Sequence, residues 1–309
     1  MGEKVGVKYT YIGHARIVTK KRGGGHTMAE RIVAKVIQGT ETRDGAGVRL
    51  RRIFANRDTS LLDPFLLFDV FGSENAADYL AGFPMHPHRG METVTFMLEG
   101  TVRHRDSLGN SGVIGAGDLQ WMSAGSGIIH EEMPQKSPRG VKGFQLWVNL
   151  PKAEKMRDPA YLDAPRSAIP SVAIPGGEVR PIAGSFNGVS GPLKGIARDP
   201  AYFDVRLDGG ATVSLPTPET QTTFAYVYEG ALGVGKDTEN HAAGCCLIFS
   251  PGSSVQLRSG SAGCRFVFAR AEPLREPVAW GGPIVMNTQA ELETAFRELD
   301  EGTFIKKRS

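Results

Sequence analysis

Along residues 92–99 apolar and polar positions alternate: Val94, Phe96 and Leu98 share one face, Thr93, Thr95 and Met97 the other. A period of two puts successive side chains on opposite sides of an extended chain, so the stretch predicts a β-strand. Residues 222–229 repeat it, with Phe224, Tyr226 and Tyr228 alternating against Thr223, Ala225 and Val227. Near the C-terminus the period changes. In NTQAELETAFRELDEG, Leu292, Ala295, Phe296 and Leu299 fall at i, i+3, i+4 and i+7, the apolar stripe of one helix. Thr288 and Glu291 have capping-box spacing, and Gly302 stands where the helix should stop. This helix is expected to pack on a barrel.

The two alternating stretches belong to an internal repeat. TVTFMLEGTV (93–102) resembles TTFAYVYEGAL (222–232), with Glu99–Gly100 matching Glu229–Gly230 at an offset of 130. GAGDLQWMSAGSGIIHEE (115–132) resembles AAGCCLIFSPGSSVQLRS (242–259), with Gly117 and Gly125 matching Gly244 and Gly252 at an offset of 127. Short strands punctuated by glycine turns predict a jelly-roll barrel, and the repeat predicts two in tandem. The fold class is therefore all-β with few short helices. The expected division is a basic, disordered extension over 1–27, a first barrel over 28–165, and a second over 166–309 that includes the helix. Residues 151–190, rich in Pro, Gly and Ser, are expected to connect the halves.

Composition narrows the function classes. The 39 glycines and 19 prolines suit many short elements, and a net charge of +3 over 309 residues sets up no field for nucleic acid. The basic run VRLRRIF (48–54) alternates with apolar residues and reads as a strand with a solvated face, without an aromatic platform beside it. No apolar stretch approaches the ~20 residues that span a bilayer, and no secretory h-region is visible. Cys245, Cys246 and Cys264 form no CxxC pattern and read as small buried thiols of a reducing compartment, the cytoplasm, with the nucleus added in a eukaryotic source.

Chemistry enters at GFPMHPHRGMETVTFMLEG (82–100). On a strand, residues i and i+2 point the same way with Cα atoms about 6.5–7 Å apart. His86 and His88 are so placed, and two such imidazoles can converge on one ion at ~2.0–2.2 Å. A second i, i+2 pair, His130 and Glu132, follows in GIIHEEMP. On facing strands the pairs supply three nitrogens and a carboxylate and leave a position open. The repeat acts as a control: its offsets align His86 and His88 with Pro216 and Pro218, and His130 and Glu132 with Leu257 and Ser259. The second half thus keeps the strand pattern and drops the ligands.

FPMHPHRGMETVTFMLEG, GAGDLQWMSAGSGIIHEEMP, GFQLWVNLP, REPVAWGGPIVMNTQAEL and LLDPFLLFDVF together resemble the pirin family of two-barrel cupins, over roughly residues 30–305. The resemblance implies an iron held in the first barrel by His86, His88, His130 and Glu132, with a metal-free second barrel. Pirins resemble flavonol dioxygenases, and some members open quercetin with O2. Carried over, the metal, Fe(2+) or another divalent transition metal, lowers the pKa of the substrate's 3-hydroxyl while Glu132 takes the proton. Ring cleavage releases carbon monoxide and an ester of two aromatic acids. Family members are also described as nuclear co-regulators, so a second reading is a metal-dependent binder of a transcription factor or enzyme. Neither reading involves direct nucleic-acid or membrane contact.

Other residues carry weaker expectations. Glu92, four residues after His88, is assigned a structural role. Arg89 is expected to brace a carboxylate. Trp121 and Met122 read as core, and Phe83 and Phe144 as candidate pocket wall. His104 in VRHRDS reads as a surface residue without an i+2 partner, and His14, His26 and His241 as lone histidines without chemistry.

Overall fold

The computed structural model describes residues 8–12, 15–19 and 29–306; His14 and His26 lie outside the described residues. Two antiparallel sheets build the first barrel. One has four strands in the order Ser111–Ile114, Val102–Asp106, Ile128–Pro134, Phe83–His88. The other has seven, with Met91–Glu99 and Val141–Asn149 at its centre and Ala160–Ala164 and Thr40–Asp44 at its edges. A nine-stranded sheet makes the second barrel, around the long strands Thr222–Val234 and Ser254–Ala271. Within the N-terminal extension, where no structure is expected, Lys8–Ile12 pairs antiparallel with Ala15–Thr19.

The alternating faces read from the sequence exist, and the structure decides where each points. Val94 and Phe96 face the other barrel and join Phe224, Tyr226 and Tyr228, with Phe68 and Phe144, in one buried cluster between the barrels. Thr93 and Thr95 turn into the first barrel and are 2% exposed. In the second barrel the corresponding inward face is apolar, with Ala225 and Val227 packed against Phe203, Phe266 and Phe268.

The chain does not divide cleanly at residue 165. Val33–Ile37 pairs with Cys246–Phe249 and so belongs to the second barrel's sheet. The helix, Gln289–Asp300 with the expected Thr288–Glu291 capping box, sits in one cluster with Ile284, Met286, Phe304 and Ile129, on the first barrel. Of its stripe Phe296 stays 41% exposed. The barrels thus exchange terminal segments: Val33–Ile37 extends the second barrel's sheet, and Ile284 bridges to Arg89 of the first. The segment leading into the helix crosses directly over Gly90: a Cβ there would lie 2.0 Å from the Val285 carbonyl oxygen, and φ is +77°. Arg89 backs this contact. It donates to the Ser126 and Phe304 carbonyls, pairs with Glu298 at 2.7 Å, and stacks on the Phe304 ring. No helix among the described residues is long and apolar enough to cross a membrane, and the three cysteines are free thiols.

Candidate metal centre

Antiparallel pairing of Phe83–His88 with Ile128–Pro134 sets His130 directly opposite His86. Because His88 lies two residues on from His86, all three rings meet on one face, with centroids 4.3, 4.8 and 5.0 Å apart. One nitrogen from each lies within 4.8 Å of the others. His86 Nδ1–H donates to the Pro84 carbonyl at 2.8 Å, and His88 Nδ1–H to the Pro283 carbonyl at 3.1 Å. Carbonyls only accept, so both rings carry their proton on Nδ1 and keep a lone pair on Nε2.

Those two Nε2 atoms face one another at 3.0 Å, and His130 Nε2 is buried without a hydrogen-bond partner. Ring nitrogens crowded around one point, one of them without any partner, call for something positive between them. Burial, and then the neighbouring imidazoles, hold His88 down to about 3 and His130 well below the usual histidine range, so these two rings disfavour a proton there. Neutral imidazoles with converging nitrogens fit a divalent transition metal.

Glu132, the fourth expected ligand, is buried beside the rings but is not one of the three converging groups. Thr95 Oγ1–H donates to its Oε1 at 3.2 Å and Gln145 Nε2–H to its Oε2 at 2.9 Å. Trp147 Nε1–H donates to Gln145 Oε1, which fixes the amide with its N–H groups toward the carboxylate. Glu132 shares the inward face of its strand with His130, and a bulge in the facing strand sets it opposite Phe83. His86, His88, Glu132, Gln145 and Trp147 line a solvent-open cleft of about 700 Å³ to which Phe83 and Trp280 also contribute. Trp280 lies 6.0 Å from Trp147, ring to ring, and comes from the C-terminal segment.

Several expectations need correction. His104 is fully buried, not on the surface: in Val102–Asp106 the even positions face inward, and its Nδ1 lies 3.4 Å from His130 Nδ1. It does have an i+2 partner, Asp106, and that His-x-Asp spacing was the missed signal. Phe144 belongs to the cluster between the barrels, because Gln145 and Trp147 take the inward positions of its strand. The aligned prolines are not the counterparts of His86 and His88. Val213 pairs with Leu257 as His86 pairs with His130, and Leu215 pairs with Val255 as His88 pairs with Ile128. The offset of 127 therefore holds through the ligand strand, and the counterparts of the three histidines are Val213, Leu215 and Leu257.

Other assignments hold. Glu92 is buried against Arg157 and accepts from the Ala197 backbone at 2.8 Å, a tie between the barrels. Arg89 braces a carboxylate, that of Glu298. Trp121 and Met122 are core. His241, expected to stand alone, is buried with its Nδ1 3.6 Å from Glu239 Oε1.

Residues 47–148 match the family model described as Pirin, and residues 202–305 the one described as the Pirin C-terminal cupin domain. A pirin-like protein of Caulobacter vibrioides is 43% identical over 279 residues, 90% of this chain and 100% of that one. Pirin-1 of Arabidopsis thaliana is 41% identical over 271 residues, 86% of this chain and 92% of that one. Among solved structures, the quercetin 2,3-dioxygenase of Acinetobacter baumannii aligns with a TM-score of 0.82 at 34% identity, covering 89% of this chain and 99% of that one. A protein of Geobacillus kaustophilus aligns at 0.71 and 32% identity, covering 81% and 99%. With its three imidazoles gathered in the first of two cupin barrels, the chain belongs to the pirin family.

Proposed function

We propose that the protein is an iron(II)-dependent dioxygenase that opens flavonol-type aromatic substrates with O2. The observation that carries this reading is the convergence of three imidazole nitrogens beside a buried carboxylate, in an open, tryptophan-walled cleft. His86, His88 and His130 would hold the metal. Bound there, the ion supplies Lewis acidity that makes a coordinated hydroxyl easier to deprotonate; manganese, nickel, copper or zinc would suit the same donors.

The chain's own residues do the rest. Glu132 is oriented by Thr95 and Gln145 beside the imidazoles, which suits it to accept the substrate's 3-hydroxyl proton on a carboxylate oxygen. The same two donors would also orient the carboxylate for ligation, because each oxygen keeps a further lone pair. Trp147 and Trp280 offer flat apolar faces to a planar ring system and keep water off it. Its resemblance to the Acinetobacter baumannii quercetin 2,3-dioxygenase supports the substrate class.

The test is the loss of quercetin absorbance with metal-loaded protein, with and without O2, in wild type and Glu132→Gln. Oxygen-dependent loss that falls about a hundredfold or more in Glu132→Gln, with metal retained, is expected. Bound metal without turnover would sink the enzyme reading and favour a regulatory binder, whose partner would be another protein.

A further inference from the structure

We infer that Asp106 and His104 are positioning residues that set the tautomer of His130, so that its Nε2 lone pair faces the metal. The inference rests on the metal-centre reading above and adds two residues that no ligand pattern contains.

The argument starts at the carboxylate. Asp106 Oδ1 accepts from the backbone N–H of Leu108 at 2.8 Å and of Asn110 at 3.0 Å. Its Oδ2 accepts from Asn110 Nδ2 at 2.8 Å and lies 3.4 Å from His104 Nε2. A carboxylate in such a ring of donors can only accept, so the proton of a neutral His104 resides on Nε2. His104 Nδ1 is then a bare acceptor, and it meets His130 Nδ1 at 3.4 Å. His130 must donate there, which leaves its Nε2 unprotonated, and that is the buried atom with no partner of its own.

The comparison with the other two histidines shows why a relay is needed. His86 and His88 donate to peptide carbonyls, which cannot reverse roles. The partner of His130 is another imidazole, which can donate as readily as accept. Left to itself, the pair could settle with His104 Nδ1–H pointing at His130, which would put a proton on His130 Nε2 and close the site. Asp106 removes that choice. Tyr161 stacks on His104 with centroids 4.5 Å apart and planes 24° apart, and its hydroxyl is pinned by Asp163 and Gln120. The ring is therefore held in plane as well as in tautomer. Outer partners of this kind act on ligands they orient.

Two measurements decide it. Nitrogen-15 spectra of the histidines in metal-free wild type should show His104 protonated on Nε2 and His130 on Nδ1; the reverse pattern on His130 overturns the inference. Iron(II) and zinc titrations should then show dissociation constants raised about ten- to a hundredfold in His104→Phe, which keeps the stack on Tyr161 but has no acceptor. His104→Gln, whose side-chain carbonyl can accept from His130, should recover most of that loss. Equal affinity in His104→Phe and wild type overturns the inference. Should His104→Phe fail to fold, the spectra and His104→Gln remain decisive, with loss in the glutamine variant as large as that of His130→Ala counting against it. Absent flavonol turnover would defeat the proposed function while leaving these readouts in force, and wild type that took up no metal would still yield the tautomer.

Discussion

The two barrels run the same ladders with opposite interiors. In the first, a polar row crosses six strands in register: Arg52, Asp69, Gln145, Thr95, Gln120 and Asp163. In the second, the same row reads Pro181, Phe203, Phe268, Ala225 and Leu247, ending at the exposed Val36. Where the first barrel has His86, His88 and His130, the second has Val213, Leu215 and Leu257, which are 7, 1 and 0% exposed. Backbone pairing and glycine turns are thus enough to make the barrel, whatever fills it. Filling decides what it does. An apolar interior contributes stability through burial, whereas a polar interior must satisfy every donor and acceptor and leaves lone pairs aimed at one point only where something binds.

The sharpest way to break this comparison is to move the second barrel's trio into the first. His86→Val, His88→Leu and His130→Leu together should abolish metal uptake, at least about a hundredfold weaker by titration. The barrel should survive, with a melting temperature no lower than that of the metal-free wild type. Collapse of the fold would mean that the ion is structural and that the two interiors are not exchangeable.

The reverse exchange should fail by a measurable amount. Leu257→His places one imidazole among Val213, Leu215 and the phenylalanines of the second barrel with no partner for either nitrogen. Urea unfolding should show a loss of about 3–5 kcal/mol. Metal content should not change. A near-neutral outcome would show that the second interior tolerates polarity and that its apolar filling is incidental.

A smaller effect separates the exchanged segments. Arg31 pins the N-terminal segment to the second barrel through Thr217 Oγ1 and the carbonyls of Ser250, Pro218 and Gln221. Lys155 pins the C-terminal segment to the first, donating to the carbonyls of Gly90 and Val285 and to Asn149 Oδ1. Burial lowers Arg31 to about 10 and Lys155 to about 7. The native Lys155 value lies below the unfolded one, so between them the unfolded chain holds a proton that the native state does not. Stability should therefore rise with pH across that window, and below about 7 the buried charge carries its full cost. Comparing wild type with Lys155→Met at pH 7 and pH 9, wild type should gain about 1–2 kcal/mol relative to the variant. No relative gain would mean that Lys155 stays charged in its carbonyl cage.

Much of this contrast could be read along the chain. The i, i+2 spacing of His86 and His88, the return of an imidazole at His130, and the loss of all three from the repeat are local facts. The alternation at 92–99 and 222–229, the Glu-Gly turns and the capping box at Thr288 are local as well, because the residues that decide them are neighbours. His104 escaped because its spacing to Asp106 pairs unlike residue types, and Gln145 because nothing nearby marks an amide as a partner for a distant carboxylate.

What sequence determined by itself was which side chains share a face, since a strand's period of two needs no partner to exist. Tertiary structure alone decided which face turned inward, which residue stood opposite which, and which end of the chain covered which barrel. Those depend on pairing between segments far apart in sequence, where an offset of 127 in place of 130 changes which residue stands opposite which without changing any local pattern.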